Sequence, residues 1–157
     1  MHVLEVEDAA PFAGELFTRV FKQPIPAFPR HFVLVWHPPG EAARTLCYVH
    51  HTAFETGYLA GGLVSDGNQF RRLGRETQDE LMKKGGMAQW LMAESCRRLQ
   101  PCDAVYAYIG DDKSRDVNLR VGYRLVHEPY LYVFPSPSVP EAKLAELTEK
   151  VVRLGPF

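Results

Sequence analysis

The chain of 157 residues is sparing in the features that assign a protein to a class at once. It has three cysteines, Cys47, Cys96 and Cys102. The number is odd and no Cys-x-x-Cys pair occurs, which excludes a disulfide scaffold and a zinc ribbon. Buried, reduced thiols in a cytoplasmic protein are expected instead. No apolar run approaches the roughly 20 residues that span a bilayer. The first eight residues carry acids, Glu5, Glu7 and Asp8, where a signal peptide would carry bases. Neither sign of charge is in excess, the net charge being −1. A broad electrostatic footprint is therefore absent, and neither nucleic acid nor a membrane is expected as a partner. There is no internal repeat and no low-complexity run.

What is present is the composition of an ordinary globular domain, 46% apolar and 24% charged. The length predicts a single domain over 1–157, with a core to about 135 and a helical extension over 136–157. Val3, Leu4 and Val6 suggest a first strand, and Asp8 with Pro11 a helix start. Phe12, Leu16 and Val20 recur at helical spacing. The proline-rich stretch 23–30 cannot continue that helix. Alternating and apolar runs predict strands over 31–36, 45–54 and 58–64, separated by short turns. Further strands are expected over 104–109, 124–127 and 130–134, and a helix over 112–121. Beyond Pro140, the residues Leu144, Leu147, Val151 and Leu154 form the apolar side of a final helix over 141–154. That side could cover the sheet or pair two copies in a homodimer.

The richest stretch is 83–123. Lys83-Lys84-Gly85-Gly86-Met87-Ala88 is a basic, glycine-rich turn opening a helix to about Leu99. Such a turn suits an anion, because free N–H groups, the helix dipole and small residues converge there. An apolar strand follows, then Asp111, Ser114, Val117 and Asn118, and finally Gly122-Tyr123. In this order the series resembles the acetyl-CoA half of the Gcn5-related N-acetyltransferases, the GNAT superfamily, over about residues 31–134. The resemblance implies an α/β (α+β) fold, a mixed, mostly antiparallel sheet flanked by helices on both faces, with the C-terminal helix added. It implies acetyl-CoA as acyl donor, no metal, and an amine acceptor that is a small molecule or a protein.

The resemblance also distributes roles. Lys83, Lys84, Gly85, Gly86, Met87 and Ala88 would bind the diphosphate of the coenzyme, with Lys83 in the place of the family's Arg or Gln. Lys113 and Ser114 open the second helix on the same cofactor. Asn118 stands where the family often has a general-acid Tyr, so Tyr108, Tyr123 or water would take that part, or the chain would bind acyl-CoA without transfer. A rival basic turn, Gln69-Phe70-Arg71-Arg72-Leu73-Gly74, lies nearer the 58–64 strand. The later turn is preferred because Gly86 to Leu99 gives a helix of ordinary length, which makes 75–82 an inserted helix.

Amine acetylation needs a base, and histidine titrates in the right range. Candidates are His50, His51, Glu55 and Asp66. Strand alternation sends His50 and His51 to opposite faces, so one of them can serve a given site. His51 is favoured because Glu55 shares its face. A metal site from His37, His50, His51 and His127 lacks ligand spacing.

Overall fold

The computed structural model describes residues 1–127 and 129–157. The chain runs β1 (His2–Val6), α1 (Ala10–Phe21), β2 (Arg30–Trp36), β3 (Arg44–Phe54), β4 (Gly57–Ser65), α2 (Gly67–Arg72), α3 (Arg75–Lys83), α4 (Met87–Arg98), β5 (Ala104–Tyr108), α5 (Asp112–Val121), β6 (Arg124–His127), β7 (Leu131–Pro135) and α6 (Glu141–Leu154). The strands form one sheet in the order β1-β2-β3-β4-β5-β7-β6. β4 and β5 pair in parallel. β1 with β2, β5 with β7 and β6 with β7 pair antiparallel. The mixed, mostly antiparallel sheet, its helices and the C-terminal helix are those expected from the sequence. Among the described residues no helix is long and apolar enough to cross a membrane.

By its internal contacts the chain divides into two compact units, 1–50 with 62–95, and 51–61 with 96–157. In the first unit α1 lays Ala13, Leu16 and Phe17 on Val33, Val35 and Tyr48 of β2 and β3. Asp8 helps to start α1, its carboxylate accepting the Ala10 N–H at 2.9 Å. α2 is a short helix that the sequence left inside a turn. Asp66 caps it, accepting from the Asn68 and Gln69 N–H groups at 2.9 and 3.1 Å. The same carboxylate receives the Arg19 guanidinium of α1 at 3.0 Å.

In the second unit α6 buries Leu144, Leu147 and Val151 against Leu59, Tyr106 and Leu131. Leu144, Leu147 and Val151 of the apolar side are therefore spent within this unit, while Leu154 at the end of α6 is half exposed. Gly57 lets β4 come close to β5, since a Cβ there would sit 2.5 Å from the Ala104 carbonyl oxygen.

Candidate functional site

The turn between α3 and α4 is a helix-stop joined to a helix-start. The Gly86 N–H donates to the Leu81 carbonyl at 2.9 Å, and the Gly85 N–H to that of Met82 at 3.0 Å. This crossed pair is the Schellman arrangement, which needs left-handed backbone. Gly85 supplies it with φ of 83°, and Gly86 follows with φ of 92°. Their N–H groups are thus committed to α3, which corrects the expectation that they would face a diphosphate. The first α4 bond runs from the Trp90 N–H to the Gly86 carbonyl. The Met87 and Ala88 N–H groups precede it and have no acceptor among the described residues, as helix geometry requires of a first turn. No acid lies in that first turn. The dipole there is uncancelled, and an anion is the complement.

The two lysines part company. Lys83 is exposed at the end of α3. Lys84 places its Nζ 4.5 Å from the centroid of the Trp90 ring, a cation–π contact that holds the ammonium beside the start of α4.

The rival turn offers less. Its N–H groups at Gln69, Phe70 and Leu73 are bonded to Asp66 and Phe70. Gln78 takes the carbonyls of Phe70 and Leu73. The helix that follows carries Glu76 in its first turn, which repels an anion. The start of α5 is filled from within in the same way. Asp111 Oδ1 accepts the Ser114 N–H at 2.9 Å. The Ser114 hydroxyl and N–H together hold the Asp111 carboxyl below the usual carboxylate range. Ser114 is therefore engaged by its own cap, while Lys113 stays exposed.

The two histidines of β3 differ as alternation requires, and the side that is accessible is the reverse of the one favoured from sequence. His51 is fully buried. Its supposed partner Glu55 sits in the β3–β4 turn with φ 52° and ion-pairs with Lys150 of α6 at 3.4 Å. His50 is half-buried and belongs to a cluster of which strand spacing reveals only the Tyr48 neighbour. Tyr48 Oη lies 2.8 Å from His31 Nδ1 and 3.2 Å from His50 Nδ1. Phe17 packs edge-on to Tyr48, with ring centroids 5.5 Å apart, and against His50 at 6.0 Å. Gly62 of β4, with φ 63°, lies against the His50 ring. Burial, with a smaller contribution from His31, pushes His50 down to about 4. Burial also lowers His31, and the Asp8 carboxylate pulls it part of the way back. His50 is thus a neutral imidazole at pH 7. Among the described residues no group of three His, Cys, Asp or Glu side chains could hold a metal ion.

Asn118, which the resemblance sets at the place of the family's acid, is engaged through its amide. Asn118 is 2% exposed, and its Nδ2 donates to the Ser114 carbonyl one turn back at 2.8 Å. Its Oδ1 is buried with no hydrogen-bond partner among the described residues. Tyr123 is buried with its hydroxyl 3.3 Å from Cys96 Sγ, and burial drives it well above its ordinary value. Its hydroxyl is sealed from solvent against Cys96.

No protein-family model matches the sequence, and no curated protein matches it. Solved structures do. A mutant of the AtaT toxin bound to the C-terminus of the antitoxin AtaR is 18% identical, with a TM-score of 0.54, covering 87% of this chain and 94% of that one. The Escherichia coli protein YhhK, named as an N-acetyl transferase and solved in solution bound to coenzyme A, is 12% identical with a TM-score of 0.54 over 86% and 98%. A mutant of KacT is 16% identical with a TM-score of 0.50 over 87% and 95%. The chain has the GNAT fold. α2 and α3 both lie between β4 and the helix that begins at Met87. The GNAT architecture fixes where the elements run, and at these identities it leaves the chemistry to the residues themselves.

Proposed function

We propose that the chain is an acyl-CoA-dependent N-acetyltransferase whose acceptor is a small-molecule or protein amine. The observation that carries this reading is the start of α4. Met87 and Ala88 present N–H groups without acceptors, in a turn free of acid, in a GNAT fold. These donors fit a diphosphate, and Lys83 adds a mobile positive charge beside them. Acetyl-CoA, when bound, supplies an acetyl group activated as a thioester.

The base is His50 rather than His51. A base must reach the amine, and His51 is sealed in the core while His50 is half-buried. His50 is neutral at pH 7 and so has a lone pair to accept the proton that the acceptor nitrogen loses. Both the α4 N-terminus and His50 belong to the first compact unit.

A second reading is a non-catalytic acyl-CoA-binding or interaction module, and Asn118 favours it. An amide cannot titrate near neutrality, so the position cannot act as an acid. Calorimetric titration with acetyl-CoA and desulfo-CoA, followed by a thiol-release assay over a panel of amines, tests both. Binding with thiol release supports the enzyme. Binding without release supports the module. No heat with either ligand overturns the enzyme and the acyl-CoA-binding module, and leaves the interaction module.

A further inference from the structure

We propose that Tyr48 is a positioning residue that locks His50 into the tautomer with its proton on Nδ1, leaving Nε2 as the basic nitrogen. This rests on the reading of His50 as the base. The argument starts from a count of protons. One hydroxyl stands between two imidazole Nδ1 atoms, at 2.8 Å from His31 and 3.2 Å from His50. A phenol has one proton to give, so it can donate to one ring and must accept from the other. The two histidines therefore cannot both carry their proton on Nε2 without leaving one of these contacts unmade. His31 is 1% exposed and Tyr48 fully buried, so water does not replace a missing partner for either.

The distances choose between the two arrangements. O–H donors make the shorter bonds and ring N–H donors the longer ones. The 2.8 Å contact is the hydroxyl donating to His31 Nδ1, and the 3.2 Å contact is His50 Nδ1–H donating to the Tyr48 oxygen. The packing holds this geometry. Phe17 lies edge-on to Tyr48, and Gly62 leaves the room in which the His50 ring sits. When His50 Nε2 accepts the proton of the acceptor amine, the Nδ1–H stays on the Tyr48 oxygen. The charge resides on the His50 imidazolium, and no proton leaves Tyr48 or His31. The reverse orientation, with the hydroxyl donating to His50, would put the proton on Nε2 and block the base.

Long-range proton–nitrogen NMR of the imidazoles of the full chain tests this without reference to turnover, with His50→Gln used to assign the signals. The expected spectrum has a protonated Nδ1 and a bare Nε2 on His50, and the reverse on His31. A His50 protonated on Nε2 in the parent protein overturns the proposal. In Tyr48→Phe the His50 signals should move toward the Nε2–H form, and kcat should fall about 10-fold or more with the KM for acetyl-CoA unchanged. Unchanged nitrogen shifts in a folded Tyr48→Phe, or an unchanged kcat, would also overturn it. If the parent protein turns over no amine while the spectrum is as expected, the acetyltransferase reading fails and the tautomer assignment stands.

Discussion

Gly62 of β4 lies so close to His50 of β3 that a Cβ built on it would stand 2.6 Å from His50 Cε1, and equally close to Phe17 Cε2. The position also has φ 63°. Gly62→Ala is expected to be destabilising by about 2 kcal/mol or more, from left-handed backbone and overpacking together. Gly40→Ala is the control, since Gly40 has φ 74° in open space. It should cost about 1 kcal/mol from backbone alone. Urea midpoints of the two variants separate the terms. Equal losses would show that the His50–Phe17 contact is soft.

The pH dependence of stability follows from the same cluster. His50 in the folded chain titrates at about 4, below its ordinary 6.5, and His31 is lowered as well. Below pH 6.5 the unfolded chain binds protons that the folded chain refuses. The contribution of His50 is therefore complete above pH 6.5 and is lost as pH falls toward 4, at up to about 1.4 kcal/mol per pH unit, and His31 adds in the same direction. Unfolding at pH 7.5, 6 and 5 should show this slope, and His50→Gln should flatten it. The acid limb of any turnover should lie nearer 4 than the ordinary imidazole value that the sequence alone suggests.

Ala88→Asp separates ligand binding from folding. Asp near a helix N-terminus is favourable to the helix by about 0.3–1 kcal/mol. It also places a carboxylate where the diphosphate is proposed. Acetyl-CoA affinity should drop by about 10-fold or more while thermal stability holds or rises. Retained affinity in a folded variant would move the diphosphate elsewhere. Gly86→Asp is the poorer test, because φ of 92° strains any side chain there.

Asn118→Leu probes the amide. The change removes a buried Oδ1 that has no hydrogen-bond partner among the described residues, and with it the Nδ2 bond to Ser114. These effects oppose each other, so stability should stay within about 1 kcal/mol of the parent. A loss of coenzyme-dependent turnover at unchanged stability would mean that the amide serves the reaction and not the fold alone.

Leu147→Ala tests whether α6 is integral to its unit. Leu147 is 4% exposed in the core it shares with Leu59 and Tyr106. The substitution should cost about 2–5 kcal/mol. A shift of less than about 0.5 kcal/mol would show that α6 detaches without consequence.

What could be read from the sequence depended on how local its cause was. α6 lies over Glu141–Leu154 as the spacing of Leu144, Leu147 and Val151 indicated, because helical periodicity and a flanking proline are local signals. α2 escaped notice because its cap, Asp66, is steadied by Arg19, 47 positions away in the sequence. Alternation correctly parted His50 from His51. It set Tyr48 beside His50 on one face, but could not say which face α1 would cover, nor that His31 would reach Tyr48. The glycine pair was legible as a break, but its hydrogen-bond partners belong to the preceding helix.

The Schellman joint at Gly85 and Gly86 has a bearing on how this chain would drift under selection. One left-handed residue, Gly85, is needed to stop α3 whether or not any ligand reaches α4. A descendant that had abandoned acyl-CoA would still be held to that glycine by folding alone. Its persistence would advertise a lost activity as faithfully as a living one. The residues released to wander would be Met87 and Ala88, where a bulky or acidic replacement closes the anion site and leaves the joint whole.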